Sequence, residues 1–156
     1  MLPDRTREYL LISLHGSPLL LRQLVGSVPA DDPRWDRGID GRFTPREVVA
    51  HLADWESIFL ARLRQTATEE TPDLLKADEG VLAEEHNYAG SDPRAEADRF
   101  VSERATTLQY VASLPADAWE RVGVHAKIGP MSIEVHAVQM LVHDGFHLEY
   151  LSRLLA

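Results

Sequence analysis

The chain of 156 residues contains no cysteine. This excludes a disulfide framework, a catalytic thiol and any thiolate metal ligand supplied by the protein itself. It agrees with a reducing cytoplasm, the expected location. Long apolar runs are also missing. No stretch approaches the roughly 18 residues that a membrane span requires, so no membrane partner is expected. The first residues, MLPDRTREYLL, carry Asp4 and Glu8 and no apolar run, so no signal peptide is expected. A basic stripe is lacking too. The formal charge is -9, and Arg5, Arg7, Arg22, Arg62, Arg64 and Arg104 are scattered among acidic residues. Such a field repels phosphate backbones, so nucleic acid is not an expected partner.

What is present is ordinary for a globular protein. Hydrophobic residues make up 44% and charged residues 26%, which argues against disorder. The length suits one domain over residues 1–156 with a core that needs no staples.

The dominant pattern is a 3.6-residue apolar period, with no convincing strand pair. It predicts a first helix from Asp4 to about Gly26, with Leu10, Leu11, Leu14, Leu21, Leu24 and Val25 inward. Pro18 removes one backbone donor, so a kink or break is expected there. The clearest helix start is Thr44-Pro45-Arg46-Glu47, a capping box with proline at the first helical position. The second helix then runs to about Thr68, with Val48, Leu52, Trp55, Phe59 and Leu63 as its stripe. A short helix is expected around Leu74 to His86, because long structureless connections are uncommon. Asp92-Pro93 opens a third long helix to about Leu114. Its predicted inner face is Ala97, Phe100, Val101, Ala105, Leu108, Val111 and Ala112. One further turn is expected over 114–119, then a glycine-containing loop from Arg121 to Pro130. Ser132 caps a last helix that runs nearly to the end. The expected fold is all-α: an antiparallel four-helix bundle with a crossover connection and short extra helices.

The chemistry concentrates in histidines. His143 and His147 stand four apart in the last helix, hence on one face. Met140, His143, His147, Leu151 and Leu154 follow heptad spacing, which turns that face inward. In the second helix His51 falls in the row of Val48, Trp55 and Ile58. Buried imidazoles without partners cost a few kcal/mol per group. One divalent metal ion shared by three rings removes much of that cost; carboxylate partners are the competing account. Asp54, Glu56, Asp144 and Glu149 are candidate acceptors for the second ring nitrogens. His136, two turns before His143, either lines the same site or is a partly buried polar residue. His125 reaches the pocket mouth or is an exposed loop residue. His15 and His86 read as structural or surface residues, and Trp55 and Phe59 as core.

These residues carry a resemblance. FTPREVVAHLADWE at 43–56, GVHAKIGPMSIEV at 123–135 and HDGFHLEYL at 143–151 resemble the DinB-like family of metal-binding four-helix bundles, relatives of thiol-dependent transferases. The resemblance covers nearly the whole chain. It implies His51, His143 and His147 as ligands of a divalent metal ion, zinc or nickel, and it implies a homodimer. Tyr150 stands where family members often have glutamine. Gly145 is unusual inside a helix, where close approach of another helix would explain it. The resemblance also implies a small-molecule substrate and, in some relatives, a low-molecular-weight thiol.

The expected function is a metal-dependent enzyme, a transferase or hydrolase that uses such a thiol or water. Asp144 and Glu56 are candidates for orienting groups or a general base. The alternative is a non-catalytic, metal-stabilised stress-response or small-molecule-binding protein. Metal affinity is expected to fall as the pH drops toward the ordinary histidine value near 6.5.

Overall fold

Local signals place the helices. The computed structural model describes residues 2–39 and 41–156. Its helices are α1 (Asp4–Gly26), α2 (Pro45–Thr68), α3 (Glu79–Glu85), α4 (Pro93–Ala112) and α5 (Ile133–Leu155). The capping box of α2 forms as expected: Glu47 N–H donates to Thr44 Oγ1 at 3.3 Å, and Thr44 N–H donates to Glu47 Oε2 at 2.7 Å. Asp92 caps α4 and Ser132 caps α5. The short helix α3 is trimmed to Glu79–Glu85, because Asp78 caps it and the preceding residues are held elsewhere.

The four long helices form the bundle. Both α1 and α2 pack against α4 and α5 and occupy opposite corners. Two core clusters fix their directions. One joins Leu21 and Val25 with Val48, Leu52, Phe100 and Leu151; the other joins Leu10 and Leu14 with Phe59, Leu63, Val111 and Met140. Late α1 thus meets early α2, early α4 and late α5. Hence α1 and α5 run one way and α2 and α4 the other. The neighbours α2 and α4 are parallel, so residues 69–92 must return along the bundle. This is the expected crossover, and it makes α2 and α4 a parallel pair within the bundle.

A strand pair does exist, contrary to the sequence reading. Strands β1 (Val122–His125) and β2 (Gly129–Ser132) form an antiparallel hairpin with Val122 opposite Ser132 and His125 opposite Gly129. The hairpin anchors the crossover: Val124 N–H donates to Pro72 O at 2.8 Å, and Leu74 N–H donates to Val124 O at 3.0 Å. Gly123 permits this approach, since a Cβ there would lie 2.6 Å from Leu74 Cδ2.

Proline does not break α1. Pro18 lies inside the helix. The Leu14 carbonyl, which a residue-18 N–H would otherwise occupy, accepts instead from Arg104 Nη1 at 2.9 Å. Arg104 is not a scattered surface residue; it is 1% exposed. The buried seam of α4 is Ala97, Phe100, Arg104, Thr107 and Val111, whereas Ala105 and Ala112 face solvent. Arg104 donates to Glu56 Oε1 and Oε2 at 2.9 and 2.8 Å, and to Asp144 Oδ2 and Oδ1 at 2.8 and 3.1 Å. Ser17 Oγ also donates to Asp144. Glu56 and Asp144 are each 1% exposed. All four long helices thus meet in one network at the centre of the bundle.

Removing one member of such a network strands the others. Arg104→Met is expected to destabilise the protein by about 3–5 kcal/mol in urea unfolding. Replacing Glu56, Arg104 and Asp144 together by apolar residues is expected to cost less. A single variant as stable as the wild type contradicts this assignment.

Candidate metal centre

The capping box sets the phase of α2 and so directs His51 toward α5. One turn separates His143 from His147 on the facing side of α5. The structure brings all three rings together. His51 Nε2 lies 3.1 Å from His143 Nε2. The ring centroids are 4.6 Å apart for His143 and His147, 4.9 Å for His51 and His147, and 5.1 Å for His51 and His143. One nitrogen from each ring lies within 4.8 Å of the other two. Two nitrogens bound tetrahedrally to one zinc ion stand roughly 3.3 Å apart. The donor set therefore fits a small divalent ion with modest closing of the third ring.

Burial governs the protonation of these rings. It lowers His51 to about 3, with His147 adding to the effect and Asp54 opposing it. It lowers His143 to about 2, helped by His147, His51 and Arg104, and it lowers His147 to about 4. In the folded protein the rings are neutral at physiological pH, the state a metal ligand requires. Proton competition near pH 6.5, expected from the ordinary histidine value, moves lower for the same reason.

The candidate carboxylates are spent elsewhere. Glu56 and Asp144 hold Arg104. Asp54 accepts from Tyr88 Oη at 2.9 Å, from His86 Nδ1 and from Arg99 Nη2 at 2.8 Å. Burial works against the ionised Asp54, but these bonds outweigh it and lower its pKa. Glu149 pairs with Arg153 on the surface. The Nδ1 atoms of His51, His143 and His147 are buried without a hydrogen-bond partner. Carboxylates do not satisfy these histidines, and neither Glu56 nor Asp144 lines the adjoining cavity.

That cavity has a volume of about 1020 Å³ and reaches the three imidazoles. Phe43 stands over His51, with ring centroids 5.5 Å apart, and Trp55 packs against it at 4.9 Å. Tyr150 lines the wall, and its Oη donates to Phe43 O at 3.2 Å. His136 is 1% exposed and lines the same cavity. His125 lies at the mouth, where its Nδ1 accepts from Lys127 and Ile128 N–H at 3.2 Å and shapes the hairpin turn. His86 proved to be the partner of Asp54 rather than a residue without a constellation. Gly145 has nothing within 4 Å of where its Cβ would be, so no close helix approach explains it. Arg62 escaped notice among the scattered arginines, although the spacing Trp55, Phe59, Arg62 marks it as inward-facing.

Comparisons with known proteins bear on the family and the fold. The DinB superfamily model matches residues 14–151. Among solved structures, YfiT from Bacillus subtilis, a probable metal-dependent hydrolase with an unusual four-helix bundle topology, superposes with a TM-score of 0.86 at 22% identity. The match covers 99% of this chain and 88% of that one. It bears on the fold. No curated protein matches the chain.

The depressed histidines tie stability to pH. In the unfolded chain they take up protons near 6.5, whereas the folded metal-free protein resists protonation until about pH 4 or below. Stability is therefore full above pH 6.5 and is lost as pH falls through the window below it. The urea midpoint of the metal-free protein is expected to hold steady above pH 7 and to drop between pH 6.5 and 5. A midpoint that stays flat across that window contradicts the burial of these rings.

Proposed function

The chain belongs to the DinB superfamily, and on that footing we propose that it is a metal-dependent enzyme whose one divalent ion is held by His51, His143 and His147. The observation that carries this reading is the convergence of three neutral imidazoles, His51 buried and His143 and His147 half-buried, on a cavity about 1020 Å³ in volume. A purely structural metal site is closed by four protein ligands. Here three histidines form the donor cluster among the described residues, and a cavity leads to them. That supports catalysis over a role in stability alone. A divalent ion bound by three protein ligands acidifies the water or thiol that completes its coordination.

Hydrolysis by water is the reading favoured here, by analogy with YfiT. Transfer from a low-molecular-weight thiol is the second, since the chain has no cysteine of its own to act as nucleophile. Zinc and nickel both suit imidazole ligands. Phe43, Trp55 and Phe59 form apolar walls beside the rings and exclude water from one side of the site. A homodimer is part of the proposal. Tyr9, Ile12 and Leu20 on α1 and Val135, Val138 and Val142 on α5 are exposed, and those helices are neighbours. A cytoplasmic setting rests on the cysteine-free composition. No helix among the described residues is long and apolar enough to cross a membrane.

One set of samples tests the proposal. Protein loaded with zinc or nickel is expected to hold one ion per chain by plasma emission analysis and to have a dimer's mass by light scattering. His51→Ala, His143→Ala and His147→Ala should each fall well below one ion. Ester and amide hydrolysis, or thiol addition to an electrophile, should appear only with the ion bound. Undiminished metal content in the three variants contradicts the ligand set. Full occupancy without turnover across these panels favours the non-catalytic alternative.

A further inference from the structure

A second feature of the same cavity is only partly accounted for by contacts among the described residues. Arg62 is 5% exposed, yet no carboxylate pairs with it among the described residues. Its Nε donates to Leu75 O at 2.9 Å and so helps to hold the crossover. Its two Nη atoms have no partner among the described residues, and they are not sealed off, since Arg62 lines the cavity. Its Cζ sits 5.9 Å from the centroid of the Trp55 ring. Burial disfavours its charge, and no acidic neighbour offsets that cost. Buried guanidinium groups are normally paired. The other buried arginine of the core, Arg104, shows the norm with two carboxylates.

His136 repeats the pattern. It is 1% exposed, lines the same cavity, and its Nε2 is buried without a partner. Burial, helped by Arg62 and His125, lowers His136 to about 4, so its ring is neutral at physiological pH and offers one N–H. In a chain of net charge -9, the buried charged side chain of this cavity is a cation, Arg62. Asp78 and Glu79 also line the cavity, but both are exposed at its rim.

We propose that Arg62 and His136 form an anion subsite that receives the carboxylate of a small organic acid, whose other end faces His51, His143 and His147. The assignment of the far end rests on the proposed function; the subsite itself does not. Trp55 joins the two regions. Its ring lies 5.9 Å from the Arg62 guanidinium and 4.9 Å from the His51 ring, so their separation cannot exceed the sum of these steps. One small molecule spans that distance. A carboxylate fits better than a phosphate. The two Nη groups present a planar fork, and Arg62 is the one buried positive charge lining this cavity because the His136 ring is neutral, which balances a planar monoanion better than a dianion. The walls are Trp55, Phe59 and Met131, which suit an acid with an apolar or aromatic body.

Calorimetric titration with benzoate tests this, using benzamide and inorganic phosphate as comparisons, on both the metal-loaded and the chelator-treated protein. Benzoate is expected to bind one site, and benzamide and phosphate to bind at least tenfold more weakly. Arg62→Met should weaken benzoate at least tenfold without changing metal content, and Arg62→Lys should restore part of the affinity. The preference for benzoate should persist after chelation, which separates this subsite from the metal reading. If the ion does not bind but the benzoate preference holds, the metal reading fails and the subsite stands. Equal binding of benzoate and benzamide, phosphate binding as tightly as benzoate, or undiminished benzoate affinity in Arg62→Met overturns the proposal. The comparison of ligands on the unaltered protein decides the matter even if the variants fold poorly.

Discussion

The arrangement turns on Arg104. One guanidinium at the centre of the bundle grips Glu56 of α2 and Asp144 of α5, and it also takes the Leu14 carbonyl that Pro18 leaves free in α1. Buried ion pairs contribute little net stability compared with apolar packing, but they are strongly directional. Here the direction matters. Asp144 adjoins His143 in sequence, and Glu56 lies little more than a turn beyond His51. A clamp that fixes the rotation and height of α2 against α5 therefore also fixes where those two imidazoles point. The Nε2 atoms of His51 and His143 stand 3.1 Å apart as a consequence of a bond made one layer deeper.

The cavity has two chemically distinct regions. At one, three neutral imidazoles share a region from which carboxylates are withheld, because each candidate acid is already bound to a cation of its own. At the other, Arg62 and His136 keep nitrogens without a partner among the described residues. Trp55 stands between them. The parallel pairing of α2 with α4 makes this possible: the returning crossover and the hairpin cover α2 and wall the cavity, with Gly123 admitting the Leu74 side chain.

Much of this was legible in the sequence. The start of α2 follows from Thr44, Pro45 and Glu47, and the spacing of His51, His143 and His147 within amphipathic helices placed them inward. The resemblance to the DinB-like family carried the remaining step of bringing the rings together. What the sequence hid has physical reasons. The α4 seam was read through Val101, Ala105 and Leu108 because apolar residues were assumed to face the core. The true seam includes Arg104 and Thr107, whose burial depends on partners in other helices. The hairpin escaped because its strands have four residues each and β2 contains Pro130. The roles of Asp54 and His86 depend on a contact between residues 32 apart, which no local pattern records.

The central claim is that residues from α2 and α5 bind one ion together. X-ray absorption at the edge of the bound metal measures this without reference to any reaction. The spectrum is expected to show the multiple-scattering pattern of three imidazoles and at least one additional light-atom neighbour. A spectrum fitted by two imidazoles or fewer, unchanged when His51 is replaced, would contradict it.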